Sequence, residues 1–362
     1  MSRWCNRLFL YYTLLSVAEV LALSAFADDG GLKTYVAVDM VMERPVAGDQ
    51  KEPSPLMVRG AELSLFGPID HRFDGKLSFA AHPEGGESLA ELHEATVSSS
   101  KIIPRSRFKI GQFFLGVGIL NQVHQHDWSF ISAPYVHKTV FRDSEGALDT
   151  GVEYSVLLPL PFYLDLTVGV TNGYTYGHSH SAGEKPEVPT HYVRAESYFS
   201  LFDLGFKPGV SYLSRTDASK NEMTLYGLDL VAKKRKGKML QFLWLSELWS
   251  RTTKPDGVES EHTIGFYMYP QLGFSYHWYF GLRLDYYKNL SLENVAGDSL
   301  DNYRRSFVPT LTFQETEFAK FRLAFHHEQI KDPSRPADED TVVQSVEFQT
   351  TFILGAHPAH DF

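Results

Sequence analysis

Cysteine is almost missing: the 362-residue chain has one, Cys5, close to its N-terminus. A disulfide framework, a thiolate metal site and a cysteine nucleophile are thereby excluded from the rest of the chain. Positive charge is also short. Lys and Arg number 34 against 44 Asp and Glu, a formal net charge of −10, which argues against a nucleic-acid partner. Beyond residue 27 no run of ~18 apolar residues occurs, so no helix is expected to span a bilayer. There is no repeat of fixed period, no low-complexity linker and no sign of a second domain. Serine and histidine are plentiful, but no nucleophile elbow or other local catalytic signature accompanies them, and no enzymatic activity is expected.

The first 27 residues carry Arg3 and Arg7, an apolar stretch from Leu8 and a closing "AFA". That is the layout of a secretory signal peptide. The chain therefore divides into a signal at 1–27 and a single domain at 28–362.

Aromatic residues are abundant, at 14%, and they fall at alternate positions in short segments, the period-two signature of strands. In "FYLDLTVGVT", Phe162, Leu164, Leu166, Val168 and Val170 share one face, opposite Tyr163, Asp165, Thr167 and Gly169. In "YHWYFGLRLDYY", Tyr276, Trp278, Phe280, Leu282, Leu284 and Tyr286 oppose His277, Gly281, Arg283 and Asp285. Sixteen such segments are expected, at 33–42, 57–66, 71–81, 90–98, 106–115, 148–158, 162–172, 190–201, 205–215, 222–233, 239–250, 260–269, 274–288, 303–314, 318–329 and 342–354. Their lengths suit tilted strands crossing a bilayer. Short links such as those at 67–70, 159–161 and 202–204 alternate with long ones at 43–56, 116–147, 173–189, 289–302 and 330–341. Short turns on one rim and long loops on the other define an all-β, antiparallel, up-and-down transmembrane barrel. A soluble sandwich or lipocalin-like barrel would also alternate, but it would want apolar residues where nearly every segment here carries charge. The last strand is expected to stop near Leu354. The terminal Phe362 is the aromatic end that many outer-membrane barrels present to the barrel-assembly machinery, while Pro358 could not donate to a ladder.

Charged residues on the non-greasy faces are the expected pore lining: Arg72, Lys76, Arg194, Lys207, Arg283, Lys320 and Arg322 against Glu62, Asp74, Glu153, Asp165, Glu196 and Asp285. Tyr174, Tyr176, Trp244, Trp249, Trp278 and Tyr279 are candidates for interfacial girdles.

The longest link contains "NQVHQHDW", and in a wide barrel such a loop can fold back into the lumen. His124, His126, Asp127 and His137 would then line the path of a solute, and imidazoles with a carboxylate suit a first-row divalent metal. His178 and His180 in the next long loop form a second pair. Such a site would weaken below about pH 6 as imidazoles protonate. Read without a metal, the same histidines are ordinary polar loop residues, or a cluster that gates by charge.

The run from Gly111 to Pro159, with "LNQVHQHDW", "APYV" and "DSEGALDTGVEYSVLLP", and the closing "HPAH", resembles a porin-like family of bacterial outer-membrane barrels often labelled zinc-regulated TonB-dependent outer-membrane receptors. The resemblance extends over nearly the whole chain after the signal, with its specific residues concentrated in that middle section. It implies a Gram-negative outer membrane and a link to zinc. The family's His-x-His falls on His124 and His126, and its Glu-Gly-Leu-like turn on Glu145, Gly146 and Leu148, with Ala147 between. A TonB-dependent receptor pairs a roughly 22-stranded barrel with an N-terminal plug. Residues 28–56 leave no room for that plug, so a passive or facilitated channel fits the chain better.

The expected function is a porin-like channel for small hydrophilic solutes, with a histidine-lined constriction handling zinc or another divalent metal and no required cofactor. A dedicated zinc-uptake receptor and a structural or adhesive surface barrel are the alternatives. Membrane lipid is an expected partner, and many barrels of this size assemble as trimers, a state nothing in the sequence fixes.

Overall fold

In the computed structural model, residues 31–48, 52–84, 87–141, 145–174, 176, 184–292, 300–333 and 341–356 are described. The alternation of the chain becomes sixteen strands: β1 Lys33–Ala47, β2 Ser54–Pro68, β3 Asp74–Glu84, β4 Glu87–Ser99, β5 Ser106–Phe114, β6 Leu148–Leu157, β7 Tyr163–Thr171 and β8 Val188–Leu201 form the first half. The second half comprises β9 Leu204–Thr216, β10 Glu222–Lys236, β11 Met239–Lys254, β12 Glu261–Gly273, β13 Trp278–Asn289, β14 Tyr303–Thr316, β15 Ala319–Lys331 and β16 Thr341–Gly355. Each pairs antiparallel with its sequence neighbours, and β1 pairs with β16, Tyr35 opposite Gly355 and Met40 opposite Thr350, which closes the barrel. Closure leaves no unpaired sheet edge. All sixteen expected segments are strands.

The alternation sorts side chains as the sequence implies. On β12, Thr263, Tyr267, Tyr269 and Gln271 are buried inside, while Ile264, Phe266, Met268 and Leu272 face out. Leu77, Phe79, Val168, Val170, Phe280 and Leu323 are exposed on the outer surface. An apolar belt on the outside of a closed barrel has lipid as its natural solvent.

Two strands begin several residues later than expected, for local reasons. At 69–73 the Ile69 N–H donates to the Phe73 carbonyl at 2.8 Å, and the Asp70 carboxylate accepts from the backbone N–H groups of Arg72 and Phe73 at 2.7 and 2.9 Å. This turn takes residues 71–73 out of β3 and leaves Arg72 exposed on the rim, so it does not line the pore. Likewise Ser275 Oγ accepts from the N–H groups of His277 and Trp278 at 3.2 and 3.0 Å, and β13 begins only at Trp278.

The link between β5 and β6 folds into the lumen. It carries two single-turn 3-10 segments, Leu120–Gln122 and Gln125–Asp127, and a short helix α1, Tyr135–Phe141. Trp128, Phe130, Val136, Val140 and Phe141 pack with the wall residues Tyr192, Leu213, Leu225, Trp249, Tyr267 and Tyr269 as one buried cluster. The main core of the protein thus lies within the barrel. Two glycines make the approach possible: Gly118 adopts φ +65° where a Cβ would lie 2.6 Å from Glu247, and a Cβ on Gly265 would lie 2.8 Å from Val136. Trp249, Tyr176 and Tyr279, candidates for interfacial girdles, are buried, and Trp249 and Tyr176 belong to this inner cluster; Tyr174 and Trp278 are exposed.

Candidate functional site

Asn121, the first residue of the octapeptide, staples the neck of the inner loop. Its Nδ2 donates to the Leu115 carbonyl at 2.7 Å and its Oδ1 accepts from the Ala147 N–H at 2.6 Å. Trp128, the last, is buried and donates from Nε1 to the Val123 carbonyl at 2.9 Å. Between these anchors His124 and His126 are presented to one side of the lumen.

The wall supplies the rest of the site. His82 on β3, His93 on β4, His124 and His126 form a column of four roughly parallel imidazoles, with ring centroids 5.1, 6.1 and 5.6 Å apart and interplanar angles of 19°, 10° and 23°. Phe114 packs edge-on against His93 and His124. Acids flank the column. His124 Nδ1 lies 2.9 Å from Glu62 on β2 and its Nε2 2.8 Å from Glu94 on β4. His126 lies 3.6 Å from Glu62 and 3.2 Å from Asp127. Glu145, at the far end of the loop, lies 3.4 Å from His82 and 3.6 Å from His93. Of the neighbouring cations, Lys76 pairs with Glu94 and Arg59 with Asp39. A cavity lined by Glu62, His82, His93, His124, His126 and Glu145 offers about 30 Å³ to the centres of water-sized molecules. That is more than the ~10–15 Å³ one water needs.

Sequence periodicity hides half of this constellation. The β3–β4 pairing runs from Ser78 opposite Glu94 to Phe79 opposite Leu92, passing over His93. A bulge of this kind re-aims a side chain, so the consecutive residues His93 and Glu94 both turn inward. Strict alternation would send one of them to the lipid. The inward parity of Lys76 and Ser78 was the available signal for His82.

The other candidates separate. His137 is not with His124 and His126: its position on α1 seats it between Trp128 and Phe141, at ring-centroid distances of 5.2 and 4.9 Å. His178 and His180 lie outside the described residues, as do the expected signal peptide and the terminal "HPAH". Lys76, Glu153, Arg194, Arg283, Asp285, Lys320 and Arg322 do face inward, but bonded to other groups. Glu153 pairs with Lys109 at 2.7 Å and accepts from Tyr192 at 2.6 Å; Arg194 forks onto Asp229 at 2.5 and 2.9 Å; Arg322 donates to Gln349 at 2.9 Å. Asp165 is half-buried on the same inner face, accepting from Thr167 at 3.4 Å. Several hold the loop. Lys320 donates to the His126 carbonyl at 2.7 Å, Arg59 to that of Ile131 at 2.5 Å, Arg251 to that of Thr139 at 2.7 Å, and Arg283 to that of Ser132. Glu247 accepts from the N–H groups of Ile119 and Leu120.

Two loop histidines make docking pH-dependent in opposite senses. Burial, helped by the charge of Lys138, pushes the His137 pKa down to about 3. A released loop would restore the ordinary value near 6.5. Below about pH 6.5 the released state therefore binds a proton that the docked state refuses, and docking weakens by up to about tenfold per pH unit toward pH 3. For His124 burial acts downward, but Glu62 and Glu94 outweigh it and raise the pKa to about 10. That contribution is complete below about pH 6.5 and fades as pH rises toward 10. Near-ultraviolet circular dichroism of the packed rings should be strongest near neutrality and fall on both sides. His137→Phe should blunt the acid limb; an acid limb identical to wild type would assign it to other groups.

No protein-family model matches the chain. It is 26% identical over 354 residues to an uncharacterized protein of Aquifex aeolicus (strain VF5), covering 87% of this chain and 72% of that one. Its structure is similar to the anion-selective porin from Comamonas acidovorans, with TM-score 0.61 at 10% identity, over 90% of this chain and 100% of the porin. The outer-membrane channel DcaP of Acinetobacter baumannii gives 0.60 at 8% identity, over 90% and 97%. The trimer form of the outer-membrane protein OmpT of Vibrio cholerae gives 0.59 at 10%, over 90% and 100%. The resemblance to zinc-regulated TonB-dependent receptors gains no support from these comparisons. At such identities the likeness is one of fold, and the fold is the closed sixteen-stranded barrel of outer-membrane porins.

Proposed function

We propose that the protein is a porin-like channel of a Gram-negative outer membrane, passing small hydrophilic solutes through a lumen narrowed by the β5–β6 loop. The observation that carries this reading is the loop itself, folded inside a closed barrel and leaving a cavity lined by histidines and acids. Barrels of 16 to 18 strands enclose an aqueous channel unless something fills it. The apolar outer belt contacts lipid. Export by the N-terminal signal and delivery by the barrel-assembly machinery belong to the same reading, as does a trimer like that of the Vibrio protein. The histidine–carboxylate column favours one variant of it, a channel or uptake receptor selective for divalent metal cations such as zinc.

Refolded protein in a planar bilayer with potassium chloride should give discrete current steps. Correctly folded protein that conducts no better than bare bilayer would sink the channel.

A further inference from the structure

We infer that the lumen holds one divalent transition-metal cation at a time in two overlapping positions that share His93. The donors come in two sets, Glu62, His93 and His124, and His82, His93 and Glu145, and within each set one ligand atom per residue lies within 4.8 Å of the others. Each set is two imidazoles and a carboxylate, the three-ligand complement that leaves a fourth position to water in open zinc sites. Tetrahedral donors about 2.0–2.2 Å from zinc sit roughly 3.4 Å from one another. The edges from Glu145 to His82 and His93, at 3.4 and 3.6 Å, have that spacing already, and that from Glu62 to His124, at 2.9 Å, is somewhat shorter. Imidazole donors favour zinc and its first-row neighbours over calcium and magnesium, which prefer all-oxygen cages.

The sharing matters for how an ion behaves. An ion that keeps His93 while exchanging Glu62 and His124 for His82 and Glu145 moves between positions without losing all its protein ligands. Weak, multi-site binding is what lets a conduction path both admit and release an ion. Each set also joins the two parts of the structure: His124 and Glu145 belong to the loop, and Glu62, His82 and His93 to β2, β3 and β4. A bound cation therefore cross-links loop to wall.

The site's role in transport rests on the channel reading, whereas binding itself does not, so the two fail separately. The test is calorimetric titration of zinc chloride into detergent-folded protein at neutral pH, with calcium chloride as control and heat-modifiable gel migration to verify folding. Wild type should bind one zinc, with affinity on the order of micromolar, and no calcium. His93→Gln should weaken zinc binding by about a hundredfold, because it damages both positions; His82→Gln and His124→Gln should each keep one ion bound, at least one of them within about twofold of wild-type affinity, because each leaves one position intact. Should His93→Gln fail to fold, the double variant His82→Gln/His124→Gln decides, and it should lose binding. Two zinc ions per barrel, wild-type affinity in His93→Gln, or wild-type affinity in the double variant would each overturn the shared site. Absence of zinc binding to wild type would overturn it too, while leaving the potassium chloride conductance to judge the channel.

Discussion

Replacing residues 119–144 by a short Gly-Ser link should raise single-channel conductance severalfold, about three- to tenfold, as the lumen of a sixteen-stranded barrel opens. The excision keeps Leu115 and Ala147, whose backbone hydrogen bond closes the neck at 3.0 Å, and removes Trp128, Phe130, Val136, Val140 and Phe141 from the inner cluster. The same variant should melt well below wild type. The exposed wall aromatics Tyr192, Trp249, Tyr267 and Tyr269 lose their apolar cover at ~25 cal/mol per Å². Conductance equal to wild type, in a variant that still shows heat-modifiable migration, would mean that the loop is not the constriction.

Arg283→Met should loosen the docked loop by about 3–5 kcal/mol, the usual cost of removing one partner from a buried ion pair. Arg283 is 1% exposed; its Nε donates to Asp285 at 3.0 Å, a terminal nitrogen donates to the Ser132 carbonyl, and the guanidinium lies over Phe130 at 5.0 Å. One side chain thus joins the wall to the loop's backbone and to one of its aromatic rings. Methionine fills part of the volume but leaves the Asp285 carboxylate and the Ser132 carbonyl short of a donor. Arg283→Lys keeps the charge without the planar fork and should fall between the two. Hydrogen exchange across residues 118–141 gives the loss directly, and protection within about 1 kcal/mol of wild type would remove Arg283 from the latch.

The barrel was legible because one strand after another repeats the same rule: Leu323 outward and Arg322 inward on β15 say what Phe280 and Arg283 say on β13. His124 and His126 were legible as a pair because alternate residues of an extended segment share one side. His137 was not, since the helical turn of α1 rotates it into an apolar pack. His93 escaped because a bulge breaks parity where the site forms, and only strand pairing reveals a bulge. Trp249 was misplaced because alternation tells which residues share a face without telling what that face meets. In a barrel whose lumen holds a core, an inward aromatic is as well solvated by protein as an outward one is by lipid.

That core gives one arc of the wall a peculiar character. Along β10 and β11, Met223, Leu225, Leu243, Leu245 and Trp249 are buried inside, while Tyr226 and Leu228 are exposed outside, so a sheet one residue thick is greasy on both faces. A chain that reaches its membrane unfolded must carry this arc through water with neither lipid nor loop to cover it. Transiently exposed apolar strands are where aggregation starts. Residues 222–254 therefore need cover on two sides at once, lipid outside and the folded loop inside.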